Sequence, residues 1–554
     1  HIAQTYFAPH NSKADEHEPQ FDGETVSTIP EVKEAWQHYA KAGLLNASQS
    51  FEDGGMQLPE VILRVSMAYF SAANIATAGY PFLTIGAANL ISEFGNNWQK
   101  QTFLPAMQEG RSTGTMALTE AGQGSALADI KTYAQPNDDG TYRIFGSKMF
   151  ISGGDNELAD NITHMVLAKI KGAPAGVGGI SLFIVPKFIV NEDGSLGERN
   201  DVALSGLLHK MGYRNTTSTV LNFGEKEGAV GYLIGKPHHG LKYMFQMMNE
   251  ARIGVGMGAA ILGYQGFNYS LDYARNRPQG RLPSNKDPES KQLNIVKHAD
   301  VRRMLLAQKA YSEGGMALTL WASSLFEDVR SAPTAEEKAK AFELLDLITP
   351  MVKSWPSRYG LKANELAIQV LGGSGYIREY PVERLYRDNR LNPIHEGTDA
   401  IHGLDILGRK VIQNKMAGYK ALMSLMQASV TQLSEHEQLG AMAQELGAGL
   451  ATLNTTTMTL VGELQKDVDI ALANATLYLD VFGRVLVSWL WLRQAQIAQT
   501  ALTTDLIDDE KNFYQGKIQA AKYYIEWELP EIEAQAKILQ SVNTVCFDMQ
   551  DQWF

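Results

Sequence analysis

A chain of 554 residues is too long to fold around one hydrophobic core, so three or four domains are expected. Its formal net charge of −12 gives it no general attraction to nucleic-acid phosphates or anionic membranes, and its one cysteine, Cys546, excludes an internal disulfide framework. The hydrophobic fraction of 44% and the charged fraction of 20% are those of a folded soluble protein, and no Cys/His pairs show the spacing of a zinc site.

The first expected domain, residues 1–113, is helical. The segments EVKEAWQHYAKAGLL and PEVILRVSMAYFSAANIATA carry apolar residues three and four positions apart, which is the period of an amphipathic helix. Pro59 stands just inside the second segment, where its fixed φ and missing N–H suit a helix start. Residues 31–110 are therefore predicted to be mainly helical.

Short apolar runs replace the helical pattern over the second expected domain, residues 114–232. Turn signals separate them, NDDG at 137–140 and NEDG at 191–194. Strands at this spacing predict a compact β-domain, either a barrel or a sandwich. The runs are TMALTE, YRIFGSKMFIS, ITHMVLAKI, GISLFIVPKF and STVLNF.

Helix returns in the third expected domain, residues 233–415, which opens with one long segment over 241–277 and has a polar loop at 283–291. Residues 416–554 are expected to form an additional, all-helical C-terminal domain. Aromatic residues of buried type favour order there over a flexible tail: Trp489, Trp491, Tyr523 and Tyr524. The predicted fold class is thus mainly α with a central β-domain.

We expect no membrane span and a cytoplasmic location. The N-terminus shows no charged segment leading into an apolar stretch, so no signal peptide is predicted. The most apolar window, VFGRVLVSWLWL at 481–492, contains Arg484 and is shorter than the ~20 residues that a spanning helix needs. A buried helix is the better interpretation.

Two segments of the predicted β-domain could approach a flat cofactor. The loop ALTEAGQGSALADIKTYA at 117–134 offers hydroxyls and backbone N–H groups with little side-chain bulk. Phe150 and Ser152, two positions apart in GSKMFISGG, would lie on one face of a strand. By themselves, both patterns also fit an ordinary Gly-rich turn and an ordinary half-buried strand.

The segment QVLGGSGYIREYPVERLYRDNRLNPIHEGTDAIHGLDILGRK, residues 369–410, is more informative. Glycines at 372, 373 and 375 follow an apolar helix and can leave backbone amides free for an anion. Glu396 stands in a short turn between His395 and Gly397. A carboxylate there could have the raised pKa of a general base, or it could merely cap the helix predicted to begin near Thr398.

Five segments, in this order, resemble the acyl-CoA dehydrogenase superfamily over about residues 31–410. The resemblance extends to the larger bacterial branch that includes 3-(methylthio)propanoyl-CoA dehydrogenases. The segments are ALTEAGQGS, GSKMFISGG, HKMGYRNTTSTVLNF, NEARIGVGMGAAILGYQGFNYSLDYARNR, and QVLGGSGYIREYPVERLYRD with IHEGT.

The resemblance implies an N-terminal helical domain, a middle β-domain and a C-terminal helical bundle, with FAD as the cofactor. It implies that Glu396 is the catalytic base, with His395 in place of the family's tyrosine. Asn249, Arg252 and Gly397 are expected near the acyl-CoA. The residues expected near FAD are Leu118, Thr119, Gly124, Ser125, Phe150, Ser152, Arg277, Gln279, Gln369, Gly372, Gly373 and Thr398, of which Arg277, Gln279, Gln369 and the two glycines would reach the FAD of a neighbouring subunit.

Three positions bear on these assignments. Some members of the family place the base just before the arginine matched by Arg252, but Ala251 occupies that position and Glu250 is out of register, which favours Glu396. Ala126 replaces an aspartate that is frequent in the family, and Gly280 replaces a phenylalanine, so contacts at the adenine end of FAD are expected to differ.

The implied reaction is α,β-dehydrogenation of an acyl-CoA to the 2,3-enoyl-CoA, as in β-oxidation of fatty acids. In the family, the backbone N–H of the catalytic glutamate and a ribityl hydroxyl of FAD bind the thioester carbonyl. The substrate could be 3-(methylthio)propanoyl-CoA or a medium- or long-chain acyl-CoA. An electron-transferring flavoprotein is the expected electron acceptor, and a homodimer is the expected assembly.

Two alternatives share these motifs. An acyl-CoA oxidase would perform the same half-reaction with oxygen as the acceptor. A non-catalytic, DNA-associated flavoprotein of the same superfamily would want a basic C-terminal surface, whereas residues 434–465 and 504–535 carry many Glu and Asp. We therefore expect an enzyme with no nucleic-acid partner and no metal.

Overall fold

The computed structural model describes every residue except Asp53, and every side chain except those of Asp53, Gln246 and Met247. The chain forms two compact units, residues 1–251 and 252–554. The first contains helices and a β-domain, and the second is helical.

The helices of the first unit have clear local causes. Pro30 occupies the first turn of the second helix, and Asn96 caps the fourth by accepting from the Gln99 N–H at 2.9 Å, while the Gln99 side chain accepts from Asn96 N–H at 3.0 Å. Aromatic residues fill the core between the N-terminal helices, including Trp36, Tyr39 and Phe70. The helices are α1 (Asn11–Glu16), α2 (Pro30–Lys41), α3 (Glu60–Phe94) and α4 (Asn97–Gln108), preceded by a π-helical turn, Ala3–Phe7.

The strands of the first unit agree with the predicted β-domain and add several that the sequence did not indicate. The apolar run GISLFIVPKF is divided between two strands at Lys187, and a short N-terminal hairpin was not predicted. The strands are β1 (Gln20–Phe21), β2 (Val26–Ser27), β3 (Ser112–Ala117), β4 (Tyr133–Pro136), β5 (Tyr142–Ser152), β6 (Asn161–Ile170), β7 (Ile180–Pro186), β8 (Phe188–Val190), β9 (Leu196–Arg199), β10 (Val202–Leu207), β11 (Ser218–Phe223) and β12 (Ala229–Leu233).

Eight of these strands form one sheet in the order β10-β11-β5-β12-β7-β6-β3. The remaining strand, β4, pairs antiparallel with β5 and parallel with β6, which closes β5, β12, β7, β6 and β4 into a ring. Of the two predicted architectures, the barrel is therefore the better description. Its interior is apolar and includes Ile144, Val166 and Phe183. On its outside, Gly114 lets β3 approach α3 closely, since a Cβ there would lie 2.7 Å from that of Ala87.

Long helices build the second unit. Helix α5 (Gly240–Asn276), which begins within the residues of the first unit, is the long segment predicted from the sequence, and residues 283–291 contain no helix, as expected. The others are α6 (Ala299–Ser331), α7 (Ala335–Leu371), α8 (Val382–Asn389), α9 (Asp399–Asp405), α10 (Gln413–Leu433), α11 (Gly440–Leu464), α12 (Val468–Leu472), α13 (Ala475–Ala501), α14 (Asp508–Tyr523), α15 (Ile532–Gln540) and α16 (Val545–Asp548).

One hydrophobic core runs through α6, α7 and the C-terminal helices. The four aromatic residues expected to be buried there are all less than 8% exposed: Trp489, Trp491, Tyr523 and Tyr524. Among the residues that the structure describes, two helices, α3 and α13, are long and apolar enough to cross a membrane by length and composition, and 89% of the apolar window of α13 is buried within the protein, against 50% for α3. Core helices pass the same test, so this result is only weak support for a membrane span.

Candidate active site

Glu396 lies in a tight turn between α8 and α9. Its φ angle is +53°, in the left-handed region that non-glycine residues rarely adopt, and Gly397 follows with a φ of +94°. As a whole residue, Glu396 is partly exposed. Such backbone strain at a residue with an ionisable side chain is typical of active sites. Thr398, and not Glu396, occupies the N-cap position of α9.

Two buried side chains, His402 and Lys353, hold the backbone of this turn by hydrogen bonds. His402 Nε2 donates to the backbone carbonyl of Glu396 at 3.2 Å, and Lys353 Nζ donates to the carbonyl of Gly397 at 2.6 Å. Glycine suits position 397, because its φ of +94° strains any other residue and a Cβ there would lie 2.9 Å from His402 Nε2. Two bonds to consecutive carbonyls thus keep the backbone of the turn in one conformation.

The surroundings of Glu396 favour its neutral form. Loss of hydration raises the pKa of its carboxyl, against the opposing attraction of Arg252 and Lys353. The same loss of hydration lowers the pKa of Lys353 to about 8 and that of His402 well below the usual value. Glu396 is therefore a carboxylate whose basicity is increased while nearby cations keep it able to ionise.

A chain of buried amides orients His395, the residue before the candidate base. Its Nε2 donates to the Asn392 side-chain oxygen at 2.9 Å, and Asn392 donates to Asn389 at 2.8 Å. Asn389 in turn donates to Asn364 on α7 at 2.7 Å. Burial lowers the pKa of His395 to about 3, so this ring is neutral at physiological pH.

Arg252, expected near the acyl-CoA, is 4% exposed and lies 3.9 Å from Asp405. Its Nε is buried, and among the described residues no hydrogen-bond acceptor reaches it. A buried guanidinium N–H without a partner is energetically unfavourable. Asn249, the other expected contact, is partly buried.

In the first unit, the structure brings together two segments that are distant in sequence. The Met149 N–H donates to the Thr119 carbonyl at 3.0 Å, so the loop over 118–125 lies beside the end of β5. Gly122 and Gly124 have open space where a Cβ would be. Phe150 is 61% exposed with a φ of +59°, at an irregularity in the β5–β11 pairing, and Ser152 is partly buried. The regular strand expected at Phe150 is thus interrupted by a bulge.

A buried ion pair fixes these two segments. Lys148 Nζ, which is fully buried, lies 2.9 Å from Glu120 Oε1 and 2.9 Å from the Leu118 carbonyl. Glu120 also accepts from the Thr132 hydroxyl at 2.6 Å and from the Lys131 N–H at 2.7 Å. With these acceptor positions satisfied, the pair holds the loop rigidly against β5.

The second unit places the ends of α5 and α7 together. Tyr273 donates to Ser374 at 3.4 Å, and Val370 and Leu371 share a hydrophobic cluster with Ala274. Gly280 has a φ of +68°, which explains why a glycine stands there instead of a phenylalanine. Five predicted cofactor contacts are exposed on these two segments: Arg277, Gln279, Gln369, Gly372 and Gly373.

Comparison with known proteins identifies the family. The chain matches the acyl-CoA dehydrogenase N-terminal, middle and C-terminal domains over residues 1–111, 115–225 and 238–412, and a domain described as acetyl-CoA dehydrogenase C-terminal like over 422–550. It is 34% identical over 512 residues to 3-methylmercaptopropionyl-CoA dehydrogenase of Ruegeria pomeroyi, covering 92% of this chain and 85% of that protein. The chain belongs to the acyl-CoA dehydrogenase family.

Other relatives agree with this assignment. The broad-specificity linear acyl-CoA dehydrogenase FadE5 of Mycobacterium tuberculosis is 31% identical, with 98% of this chain and 90% of the relative covered. The fold matches a Bacillus anthracis acyl-CoA dehydrogenase complexed with FAD (TM-score 0.78, 22% identity, 100% and 88% covered). It also matches Caenorhabditis elegans ACDH-11 in complex with C11-CoA (TM-score 0.79, 19% identity, 99% and 90% covered).

These comparisons confirm the predicted family, the fold with an extra C-terminal domain, and the class of oxidoreductase acting on acyl-CoA with FAD. The predicted boundaries at 113, 232 and 415 remain predictions. Among the described residues, no group of three or more His, Cys, Asp or Glu side chains is arranged to hold a metal ion.

Sequence reasoning did not identify the side chains that support the acyl-CoA dehydrogenase motifs. Glu120 and Lys148 lie inside two of the quoted motifs, and a carboxylate and an amine within apolar motifs were a usable signal for a buried pair. Lys353 and His402 offered less, because each lies in a helix where a polar residue is ordinarily at the surface. Only the packing of α7 and α9 brings them beneath Glu396.

Proposed function

We propose that the protein removes one hydrogen from each of Cα and Cβ of an acyl-CoA thioester, with Glu396 as the base that takes the α-proton. The observation that carries this proposal is the conformation of the Glu396 turn. Its carboxyl is desolvated and has a raised pKa, and its backbone is held by Lys353 and His402. These are the properties that a general base for a weak carbon acid requires.

The raised pKa of Glu396 makes proton transfer from the substrate less unfavourable. The α-hydrogen of a thioester is far less acidic than a carboxylic acid, so a more basic carboxylate reduces the difference between the two pKa values. Stabilising the developing enolate reduces this pKa difference further. The backbone N–H of Glu396 is the donor that the family's pattern assigns to the thioester carbonyl. The rigid left-handed turn keeps that N–H and the carboxyl in a constant relation during the reaction.

The residues present fit FAD. Open space beside Gly122 and Gly124, the exposed Phe150 ring and the hydroxyl of Ser152 suit a flat ring system, as do the hydroxyls of Thr119 and Ser125. Gly372 and Gly373 also have open space where side chains would be. Further contacts are assigned by the family's pattern to Leu118, Arg277, Gln279, Gln369 and Thr398. When bound, FAD supplies the acceptor for the β-hydrogen, which leaves as a hydride.

For the substrate, we propose 3-(methylthio)propanoyl-CoA or a linear acyl-CoA of similar length. The support is the 34% identity to the Ruegeria pomeroyi enzyme of that name over 85% of its length. Two butyryl-CoA dehydrogenases of Syntrophomonas wolfei, at 32% and 33% identity, also favour a short acyl group. Arg252, with its unpartnered Nε, and Asn249 are the proposed contacts with the CoA-bearing molecule.

We further propose that the enzyme is a cytoplasmic homodimer that participates in β-oxidation and passes its electrons to an electron-transferring flavoprotein. The family's pattern places Arg277, Gln279 and Gln369 at the FAD of a neighbouring subunit. Their exposure on one unit, together with the two exposed glycines, supports a role in such an assembly. Peroxide release under air at the rate of turnover would instead assign the enzyme to the oxidases.

The test compares Glu396→Gln with the natural protein. Both are purified with FAD and mixed anaerobically with a panel of acyl-CoA thioesters from C3 to C16, including 3-(methylthio)propanoyl-CoA, while the flavin absorbance is followed. The variant is expected to bind FAD and substrate but not to bleach, because it lacks the base. Normal bleaching by the variant would refute the role of Glu396.

A further inference from the structure

The C-terminal domain contacts the helix that follows the candidate base. Gly403 of α9 lies against the backbone of α13, since a Cβ at this glycine would be 2.7 Å from the Ala475 carbonyl carbon and 2.8 Å from the Thr476 nitrogen. On the same helix, His402 holds the carbonyl of Glu396. Backbone of the C-terminal domain is thus packed directly on the helix that supports the catalytic turn.

A charged bridge reinforces this contact. Arg358, on α7, donates from Nη1 to Asp480 of α13 at 3.1 Å, and its Nε lies 3.8 Å from Asp399, the first residue of α9. Asp399 also accepts from the Ser354 hydroxyl at 2.5 Å. The Arg358 guanidinium, which is 37% exposed, therefore hydrogen-bonds a carboxylate of the C-terminal domain and lies within ion-pair distance of the carboxylate at the start of the helix that follows Glu396.

Asp480 is a fixed anchor for this bridge. It is 4% exposed and accepts additional hydrogen bonds from Tyr359 at 3.0 Å, Gln535 at 2.9 Å and Arg484 at 3.2 Å. Although burial alone would raise the pKa of Asp480, the guanidinium of Arg358 and that of Arg484 hold it below its usual value. A carboxylate with this many donors is ionised and immobile, so it can set the position of Arg358.

We propose that Arg358 is a positioning residue through which the C-terminal domain holds the Glu396 turn in its reactive geometry, by way of the bridge Asp480–Arg358–Asp399. The C-terminal domain is then required for proton abstraction and not only for stability. This inference rests on the proposed role of Glu396. Arg358 acts at a distance, through α9 and His402, and need not touch the substrate.

The experiment uses the full-length, FAD-loaded protein. Arg358→Gln and Asp480→Asn each remove one link, Arg358→Lys keeps the charge but not the planar fork that reaches two carboxylates, and Lys466→Gln breaks an exposed ion pair of the same domain as a control. Because a displacement of ~1 Å can lower a rate by about 100-fold, kcat of Arg358→Gln is expected to fall roughly 10- to 100-fold. KM should stay within about threefold of the natural value.

Hydrogen exchange supplies a readout that does not depend on turnover. Amides of residues 395–405 should exchange faster in Arg358→Gln and Asp480→Asn than in the natural protein, and Lys466→Gln should change neither exchange nor kcat. The kcat of the Arg358→Gln/Asp480→Asn double variant should be little below that of the Asp480→Asn variant, because the bridge to Asp399 is already broken there, whereas the stability of both also reflects the weakened bonds of residue 480 to Tyr359, Gln535 and Arg484. Arg358→Lys should recover part of the lost kcat.

Two results would overturn the proposal. One is a kcat for Arg358→Gln within about twofold of the natural protein. The other is a lower unfolding temperature with unchanged kcat and unchanged exchange over 395–405, which would make the bridge purely structural. Normal activity of Glu396→Gln would refute the proposed function itself. Because that test uses a different variant, failure of the proposed function can be distinguished from failure of the Arg358 proposal.

Discussion

Substituting Gly403 by alanine tests the packing of α9 on α13. The added Cβ would lie 2.7 Å from the Ala475 carbonyl carbon, whereas ordinary contact begins at 3.4 Å, so one helix must move by the difference, 3.4 − 2.7 = 0.7 Å. The three obstructing atoms are the Ala475 carbonyl carbon and oxygen and the Thr476 nitrogen, which belong to the backbone and cannot rotate away. Overpacking of this kind costs about 1–3 kcal/mol of unfolding free energy.

The same displacement should also reach the catalytic turn, because His402 neighbours Gly403 and holds the Glu396 carbonyl. A shift somewhat below 1 Å is expected to reduce kcat by roughly 10-fold or more. Stopped-flow bleaching of the flavin by substrate measures this step, and urea unfolding measures the stability.

Gly462 provides a matched control, since it lies in α11 with open space around its missing Cβ. Gly462→Ala should leave kcat unchanged and stabilise the protein by about 0.5–1 kcal/mol, because alanine loses less backbone entropy in a helix. A Gly403→Ala variant with natural kcat and natural stability would refute the claimed close contact between α9 and α13.

Three further predictions concern buried charges. Lys353→Met removes a cation that favours the ionised form of Glu396, so the pKa of Glu396 should rise. The acidic limb of the pH profile of kcat/KM should therefore move to higher pH. An unmoved limb would show that Lys353 does not influence Glu396. Lys148→Met leaves the Glu120 carboxylate buried without its cation and should lower the free energy of unfolding in urea by about 3–5 kcal/mol. Adding Glu120→Gln should recover part of this loss. A Lys148→Met variant of natural stability would contradict the pairing. Burial lowers the pKa of His164 to about 3, so between about pH 3 and pH 6.5 the unfolded chain binds a proton at this histidine that the folded chain does not bind. The free energy of unfolding should therefore fall as the pH drops below about 6.5. His164→Asn should flatten this dependence by up to about 1.4 kcal/mol per pH unit, and an unchanged slope would contradict the prediction.

Local sequence patterns predicted most of the elements correctly. The window at 481–492 became the buried centre of α13, and the run at 142–152 became β5, because apolar periodicity depends on nearby residues only. The N-terminal hairpin β1–β2 was missed, since two-residue strands carry no periodic signal. The bulge at Phe150 was also missed, because a positive φ at a phenylalanine is imposed by neighbours in the sheet.

The candidate site, like the fold, was predicted from the sequence only where the signal is local. Glu396 and Gly397 could be singled out in the sequence, because a carboxylate beside glycine in a short turn is unusual and the surrounding motif is long. Its pKa could not be derived from that pattern, since the pKa depends on burial and on Arg252 and Lys353, which lie 144 and 43 positions earlier in the chain (396 − 252 and 396 − 353).

The sequence by itself therefore determined the family and the order of helices and strands, and it singled out Glu396 as the candidate base, because each of these depends on contiguous residues. Only the tertiary structure decided what holds that base. Lys353, His402 and Arg358 act through contacts between helices that are far apart in the chain, and helix packing depends on the shapes of all the side chains in the interface at once. The role proposed for the C-terminal domain rests on that packing, since no motif in residues 416–554 predicts it.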